Sequence, residues 1–300
     1  MKHETVLLEE AIKYLNIKED GIYVDGTLGG AGHSQLILNH LKSGHLYAFD
    51  QDLYAINVAK DKLKGYNNKT VIHDNFANIK KQLKDNNVSG IDGILLDLGM
   101  SSFQIDDETR GFTYLKDTNL DMRMDLTQET TAADIVNNYS KDELANIFFK
   151  YGDEENSFKI VNEIIRRRPL TKTFELVNIC DRINYKRKGH SAKKVFQALR
   201  IEVNKELEVL ETLLEDIIEL LNPGGRIVII TFHSLEDRIV KHFYKEQSEY
   251  KVPKGIPLIN IPKMPLKIIT RKPIYPTEEE IKENSRAKSA KLRVAERTNA

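Results

Sequence analysis

The chain has 300 residues, of which 40% are hydrophobic and 30% are charged, and this composition is typical of an ordinary globular protein with one large or two modest domains. Its 45 basic and 45 acidic side chains cancel, so net charge alone assigns no partner. The one cysteine, Cys180, excludes an internal disulfide. No signal peptide and no membrane-spanning stretch is predicted, and we expect a cytoplasmic protein.

The charges are unevenly distributed along the chain. Residues 105–165 carry 14 acidic and 6 basic side chains, a net charge of −8, whereas residues 166–194 carry 10 basic and 2 acidic ones, a net charge of +8. Residues 251–300 carry 12 basic and 5 acidic side chains, a net charge of +7. Two basic segments on a neutral chain indicate local contact with a polyanion. Solvated helix faces and a loose tail explain the same charges equally well.

Short apolar runs alternate with helical patterns through the first third of the chain. The spacing predicts helices over residues 5–15, 34–41, 52–63 and 76–87, and strands over residues 22–25, 44–50, 71–74 and 91–97. Strands that alternate with helices predict an α/β fold with a parallel, doubly wound sheet.

This alternation stops between residues 105 and 190, where amphipathic segments without strands predict a mostly helical insert. The α/β pattern then resumes with a long helix over 192–221, a strand over 226–232 and a helix over 234–247. Residues 251–276 are predicted to be irregular, and a polar tail follows. We therefore expect a discontinuous domain of residues 1–106 and 191–300 around an inserted helical domain of residues 107–190.

A glycine-rich loop, Gly26-Thr27-Leu28-Gly29-Gly30-Ala31-Gly32, follows Asp25 at the end of the first predicted strand. Glycine there permits positive φ and lets a ligand approach the backbone. Further strands end in Asp50 and Asp97, and such strand ends line one crevice in a doubly wound sheet. Asp50 lies 20 residues after Gly30, the offset at which an acid binds ribose hydroxyls. Together these features predict a nucleoside site.

The details of the loop favour S-adenosylmethionine over a dinucleotide. The third glycine of the dinucleotide fingerprint is missing after Gly32, and Asp25 directly precedes the loop. A carboxylate there is unfavourable for an anionic pyrophosphate but suits a ligand with an amino or sulfonium cation. An NAD-dependent oxidoreductase on a similar fold is the alternative that these residues disfavour.

Eight motifs resemble those of one protein family, occur in the same order as in that family and extend over essentially the whole chain. They are residues 25–34, 92–102, 110–112, 120–125, 151–154, 196–201, 232–238 and 295–300. The chain is similar to the bacterial small-subunit ribosomal RNA (cytosine-N4) methyltransferase H family, also called MraW. It departs from the family pattern near its start, where Thr5 stands in place of a proline.

The resemblance implies a Rossmann-like S-adenosylmethionine-dependent methyltransferase that transfers a methyl group to N4 of a decoding-centre (P-site) cytosine in 16S rRNA of the small ribosomal subunit. It implies that the inserted domain holds this RNA. The cofactor contacts carry over to Ala31, Gly32, His33, Asp50, Phe76, Asp97 and Gln104. An assembly factor that binds the subunit without turnover is the alternative, which intact cofactor motifs disfavour. The oligomeric state stays open, and a homodimer is one alternative.

Asp97 is the first candidate for the catalytic residue. The lone pair of cytosine N4 is delocalised into the ring, so an acceptor that takes the N–H proton would assist attack. The Asp/Asn-Pro-Pro-aromatic motif of amino methyltransferases is replaced here by Asp97-Leu98-Gly99-Met100, and cofactor binding is therefore the alternative role of Asp97. A C5-methylation mechanism needs a cysteine nucleophile, whereas Cys180 lies in an apolar helical run that is typical of a buried structural thiol.

Candidate substrate residues come from three segments. Ser101 and Ser102 follow Asp97 and either contact the cytosine or cap a turn. His233 lies in a predicted strand-to-helix turn that faces the crevice, and Arg187 and Lys188 belong to the basic segment that would contact phosphates. No metal is expected, because no ligand cluster accompanies His233 and the aspartate four residues after it.

Overall fold

A computed structural model describes residues 5–250 and 263–299, with the side chains of residues 102 and 106 excepted. Seven strands form one sheet: Ile22–Asp25 (β1), His45–Asp50 (β2), Lys69–His73 (β3), Ile91–Asp97 (β4), Leu221–Thr231 (β5), Leu266–Ile268 (β6) and Lys291–Arg297 (β7). Their order across the sheet is β3-β2-β1-β4-β5-β7-β6. The five strands from β3 to β5 are parallel, so their carboxyl ends lie at one edge of the sheet.

The helices are Leu8–Leu15 (α1), Gly32–His40 (α2), Leu53–Lys62 (α3), Ile79–Asp85 (α4), Ser102–Asp106 (α5), Ala132–Asn138 (α6), Lys141–Gly152 (α7), Ser157–Arg167 (α8), Thr173–Ile183 (α9), Lys193–Asn204 (α10), Glu206–Leu220 (α11), Ser234–Ser248 (α12) and Glu278–Glu283 (α13). Short 3-10 turns lie at Phe76–Asn78, Glu108–Arg110 and Ser285–Ser289. In the described part of the chain, no helix is both long and apolar enough to cross a membrane.

The predicted parallel, doubly wound sheet is present from β3 to β5, and two further antiparallel strands make the complete sheet mixed. The predicted polar tail contains β7, which pairs antiparallel with β5 from Arg226 to Thr231, and β6 pairs antiparallel with β7. The apolar residues Leu292, Val294 and Ala295 are fully buried in β7. Basic neighbours hide this short apolar pattern in the sequence. Part of the predicted irregular segment, residues 251–262, lies outside the described residues.

The predicted long helix over 192–221 is two helices. Lys205 ends α10 in a left-handed conformation with φ of 51°, and α11 begins at the next residue. The guanidinium of Arg200 donates to both carboxylate oxygens of Glu206 across this break, at 2.8 and 2.9 Å. Helical periodicity continues through the break, so the sequence pattern does not reveal it.

The chain divides into two compact units, residues 1–99 with 208–300 and residues 100–207. The first, called the sheet unit below, has two hydrophobic clusters formed by alternating strand residues such as Tyr23 and Val24. The second, called the helical unit below, has one cluster around Phe148 and Leu199. Residues 100–106 and 191–207, which the sequence assigned to the α/β domain, lie in the helical unit, where α10 packs on α6 and α7.

Candidate active site

The strand order of the sheet unit reverses between β1 and β4, and ligands of α/β sheets bind beside the carboxyl ends of strands at such a point. Asp25 ends β1 and Asp97 ends β4. Asp50 ends the neighbouring strand β2. The structure therefore brings these three predicted acids together at one edge of the sheet.

The glycine loop passes over this edge between β1 and α2. Gly29 has φ of +46°, and a Cβ added there would meet only the Thr27 carbonyl, at 3.9 Å. Ala31 is fully buried and is also left-handed, with φ of 58°, at the start of α2. The Gly29 N–H donates to Oδ2 of Asp50 at 2.8 Å. The loop thus has a fixed backbone with open space at Gly29, which permits close approach of a ligand.

Asp25 is fully buried beneath the loop. Its Oδ2 accepts from the Ser34 hydroxyl at 2.6 Å, and its Oδ1 accepts from the Thr27 N–H at 3.1 Å. Asp50 accepts a second hydrogen bond, from the Asp52 N–H to Oδ1 at 2.8 Å. Asp25 therefore holds both ends of the loop, and Asp50 holds its middle.

Asp97 lies between the loop and α2. Its N–H donates to the Thr27 hydroxyl at 2.7 Å, and its Oδ1 accepts from the Gly99 N–H at 3.1 Å. Its Oδ2 is 4.0 Å from Nδ1 of His33, which is buried on α2. The predicted cofactor residues His33 and Asp97 are therefore neighbours.

Burial governs the ionisation of all three acids. It raises the pKa of Asp25 and that of Asp50 from 3.8 to about 6, against hydrogen bonds that favour the charged forms. Burial also raises the pKa of Asp97 to about 7, and the negative charges of Asp25 and Glu236 add to this increase. A cation bound here would be attracted by these carboxylates and would lower their pKa values.

Phe76 begins the 3-10 turn after β3 and lies against the start of the glycine loop. A Cβ added to Gly26 would be 3.4 Å from the Phe76 Cβ and 2.3 Å from the Leu96 side chain. Asp74, another strand-end acid, instead accepts hydrogen bonds from Asn78 and Gln82, each at 2.7 Å. Asp74 therefore stabilises the turn in which Phe76 lies.

Sequence reasoning missed Thr27 and Ser34 as functional residues. The Thr27 hydroxyl positions the Asp97 backbone, and the Ser34 hydroxyl holds Asp25. Both residues lie in the motif over 25–34, but a hydroxyl in a motif does not reveal which distant group it will bind.

Three predicted residues lie in the helical unit near its first residue. Ser101 caps α5, because its hydroxyl accepts from the Gln104 N–H at 3.2 Å. The Gln104 side chain in turn accepts from the Ser101 N–H at 3.1 Å. In the structure, Ser101 therefore acts as a helix cap, which is one of the two roles predicted for it. The side chain of Ser102 lies outside the described residues.

His233 lies between β5 and α12, at the predicted strand-to-helix turn. Its Nδ1 accepts from the Glu236 N–H at 3.5 Å and so caps α12, which assigns the ring hydrogen to Nε2. Nε2 is 2.8 Å from Oε1 of the buried Glu236. Asp237 instead accepts from Arg293 at 2.6 Å, which ties α12 to β7.

The two basic residues predicted to contact RNA differ in the structure. Arg187 pairs with the fully buried Glu154, so much of its charge is used inside the helical unit. Lys188, one residue later, is exposed. The basic residues of this segment therefore differ in how available their charges are to a partner. The number of charges in the sequence does not reveal this difference.

The residues at the strand edge fit S-adenosylmethionine. Its sulfonium and ammonium groups are cations. Burial disfavours the ionised forms of Asp25, Asp50 and Asp97, and a nearby cation would stabilise these carboxylates. Besides the hydrogen bonds from the Gly29 and Asp52 N–H groups, the Asp50 oxygens retain lone pairs that can accept hydrogen bonds from ribose hydroxyls. The open backbone at Gly29 provides the close approach that such a ligand needs.

Comparisons with known proteins identify the family of the chain. The family model described as the MraW methylase family matches residues 1–298. The chain is 61% identical over 297 residues to ribosomal RNA small subunit methyltransferase H 1 of Acholeplasma laidlawii, covering 99% of each chain. It is 50% identical to ribosomal RNA small subunit methyltransferase H of Finegoldia magna, covering 99% of this chain and 98% of that one.

Among solved structures, an rRNA methylase from Streptococcus thermophilus aligns over 100% of both chains with 12% identity and a TM-score of 0.43. The family match and the close relatives cover nearly the whole chain. On these grounds, the chain belongs to the MraW methylase family of S-adenosylmethionine-dependent methyltransferases.

Proposed function

We propose that this methyltransferase acts in the cytoplasm on 16S rRNA of the small ribosomal subunit and methylates N4 of a decoding-centre cytosine. The observation that carries the proposal is the 61% identity, over 99% of both chains, to a relative named as a small-subunit rRNA methyltransferase. Identity at this level makes a shared substrate the simplest inference. The position of the cytosine rests on the family resemblance of the motifs.

The cofactor is proposed to lie along the glycine loop. Ala31, Gly32 and His33 would contact it at the start of α2, Asp50 would bind the ribose hydroxyls, and Phe76 would lie beside the adenine. The hydrogen bonds that fix Asp50 and the loop support these assignments. Gln104 is proposed from the resemblance alone.

Asp97 is proposed to accept the proton that leaves N4. When bound, the cofactor supplies an electrophilic methyl group, so the protein has to align the nucleophile and remove a proton. The pKa of Asp97, raised to about 7, makes its carboxylate a better base than an exposed aspartate. The Gly99 and Thr27 hydrogen bonds support this role because they hold the Asp97 side chain and backbone in place.

The helical unit is proposed to bind the RNA, with Lys188 among its phosphate contacts. Ser101, Ser102 and His233 stay candidates for contact with the cytosine. Arg187 is a weaker candidate for a phosphate contact, because Glu154 already neutralises it. A Lys188→Ala variant should therefore test phosphate contact with less damage to the helical unit than a change at Arg187.

The proposal is tested by incubating purified protein with isotopically labelled S-adenosylmethionine and small ribosomal subunits that lack the modification. The label should enter one cytosine of 16S rRNA and be recovered as N4-methylcytidine. A Ser34→Ala variant, which removes a hydrogen bond from Asp25, should weaken cofactor binding without moving the modified position. Label in another nucleoside, or none at all with folded protein, would contradict the proposal.

A further inference from the structure

The connection between α9 and α10 forms a firmly anchored turn in the helical unit. The Arg187 N–H donates to the Asn184 carbonyl at 2.9 Å and closes the turn. The Asn184 side chain is buried and donates to the Ser191 carbonyl at 3.1 Å, on the far side of the turn. The two ends of the connection are therefore held together by hydrogen bonds.

Glu154 is the centre of this anchor. Its fully buried carboxylate accepts from the side chains of Asn184 and Arg187 and from the Asn156 N–H. Breaking a buried pair of this kind leaves an uncompensated charge and is strongly unfavourable. The buried residues of the turn are therefore fixed in position, and they hold its exposed residues in a defined place.

Tyr185 is an exposed aromatic residue of this turn. Its side chain is 74% exposed, the largest fraction among the large hydrophobic residues of the described chain. The Lys186 ammonium lies 5.4 Å from the centroid of the Tyr185 ring, and Lys186 and Lys188 are both exposed. The turn thus presents one exposed aromatic ring with the Lys186 charge over it, and the exposed Lys188 lies three residues after Tyr185 in the chain.

We propose that Tyr185 is a stacking platform for an unpaired base of the RNA, with Lys186 and Lys188 contacting the phosphates beside that base. This inference rests on the proposed function, in which the helical unit binds rRNA. Sequence-tolerant binding of single-stranded RNA combines aromatic stacking with cationic phosphate contacts, and the turn offers both.

The surrounding charge favours RNA as the occupant. Residues 166–194 carry a net charge of +8, but several of their basic groups have internal partners. Arg168 donates to the carbonyls of Val136 and Tyr139, and Arg166 pairs with Glu163. Lys186 and Lys188 extend this positive charge to the exposed turn, where a polyanion can reach it.

The test compares Tyr185→Ala with Tyr185→Phe in the full-length protein. Binding to a single-stranded RNA oligonucleotide and the KM for small ribosomal subunits are measured together with cofactor affinity. Tyr185→Ala should weaken oligonucleotide binding and raise KM by about 5- to 160-fold, because one stacked base is lost. Tyr185→Phe keeps the ring and should stay near wild type. Tyr275→Ala, at another exposed tyrosine, is the matched control and should change neither quantity.

The phosphate contacts of Lys186 and Lys188 are tested separately. Lys186→Ala with Lys188→Ala should lower affinity and reduce the dependence of binding on salt concentration, because two phosphate contacts are lost. Wild-type affinity and salt dependence in this double variant would overturn the phosphate contacts. Equal losses in Tyr185→Ala and Tyr185→Phe would overturn stacking.

The failure of this inference is distinguishable from failure of the proposed function. If the wild-type protein forms N4-methylcytidine while Tyr185→Ala keeps wild-type affinity and KM, only the stacking platform is overturned. If the wild-type protein binds neither RNA nor subunits, both fail. A selective loss in Tyr185→Ala with unchanged cofactor affinity supports the proposal.

Discussion

Asp97 lies at the carboxyl edge of the sheet, where the negative charges of Asp25 and Glu236 act on it. Hydrogen bonds from Gly99 to its side chain and from its own N–H to Thr27 fix its position, while burial raises its pKa to about 7. When the pKa of a base lies near the working pH, a large fraction of the base is ionised, and the ionised form still binds a proton strongly enough to remove it from the substrate. These properties make Asp97 the residue on which the proposed chemistry depends most.

Asp97→Asn should keep the hydrogen-bond geometry but remove the proton acceptor. We expect single-turnover methylation to fall by about 100- to 10,000-fold, the usual contribution of a general base. In the wild type, Asp97 must be ionised to act, so kcat/KM should rise with pH and then level off. Because the cofactor cation lowers the pKa of Asp97, the apparent pKa of this rise should lie at or below the value of about 7 in the cofactor-free protein. The variant should lose this rise.

The control for this experiment is Asp85→Asn, which alters an exposed acid at the end of α4. It should retain the wild-type rate and pH profile. If Asp97→Asn binds the cofactor normally and keeps full turnover, Asp97 is not the base.

Gly32 is required by a contact that its motif does not reveal. A Cβ added there would lie 1.8 Å from the Thr5 hydroxyl oxygen and 2.8 Å from the Thr5 Cβ. The N-terminal segment therefore packs against the start of α2, at the position where this chain departs from the family pattern. Thr5 thus has a structural role beside the glycine loop.

Gly32→Ala should destabilise the protein by about 1–3 kcal/mol, as overpacking usually does, and should weaken cofactor binding. Thr5→Gly removes both colliding atoms, so the double variant should regain much of the loss. Thermal unfolding and cofactor titration measure these effects. Gly65→Ala is the control, because a Cβ there would meet nothing within 4 Å. Purely additive losses in the double variant would show that Thr5 is not responsible.

At the scale of elements, strands with local signals were predictable and long-range pairings were not. The bounds of β1 and β4 match the prediction, because each is an apolar run that ends in an acid. The break at Lys205 and the strand β7 depend on contacts with Glu206 and β5 that no local pattern encodes. Likewise, the position of the acids Asp25, Asp50 and Asp97 was predictable because each ends a strand, whereas the Glu154–Arg187 pair was not predictable.

Strand β7 is tied to α12 through Asp237. Its carboxylate accepts from Arg293 at 2.6 Å and from Lys291 at 3.2 Å, and these cations hold the pKa of Asp237 below its usual value despite burial. Asp237 is thus a structural residue of the motif over 232–238. The ion pair joins the last strand of the sheet to the helix that follows β5.

Asp237→Ala should lower the free energy of unfolding by about 1–3 kcal/mol, because it leaves the mostly buried Arg293 without its carboxylate. Denaturant unfolding followed by circular dichroism measures this loss. Asp216→Ala, which removes a partly exposed partner of Lys80, should cost less than about 1 kcal/mol. Equal effects of the two variants would contradict a special role for the β7 contact.

At the scale of the whole molecule, the acids of the site should make stability depend on pH. The pKa values of Asp25 and Asp50 are raised to about 6 and that of Asp97 to about 7, all from 3.8. Between pH 3.8 and the raised pKa values of about 6 to 7, the folded protein therefore binds more protons than the unfolded chain. The stability that these groups contribute is present below pH 3.8 and is lost as the pH rises through 6 to 7.

Without cofactor, the melting temperature should consequently fall as the pH rises from about 5 to 8, and Asp97→Asn should reduce this slope. Bound S-adenosylmethionine should stabilise the protein more at the upper end of this range, since a cation favours the ionised acids. Scanning calorimetry with and without the cofactor measures both effects. A melting temperature that rises with pH over this range would contradict the account of the buried acids.

The central claim, N4-methylation of one 16S rRNA cytosine, is tested most directly by nucleoside mass spectrometry of 16S rRNA from cells with and without this protein. We predict that one N4-methylcytidine disappears without the protein and returns when the wild-type chain is supplied, but not when Asp97→Asn is supplied. A 16S rRNA nucleoside profile that is unchanged by loss of the protein would contradict the claim.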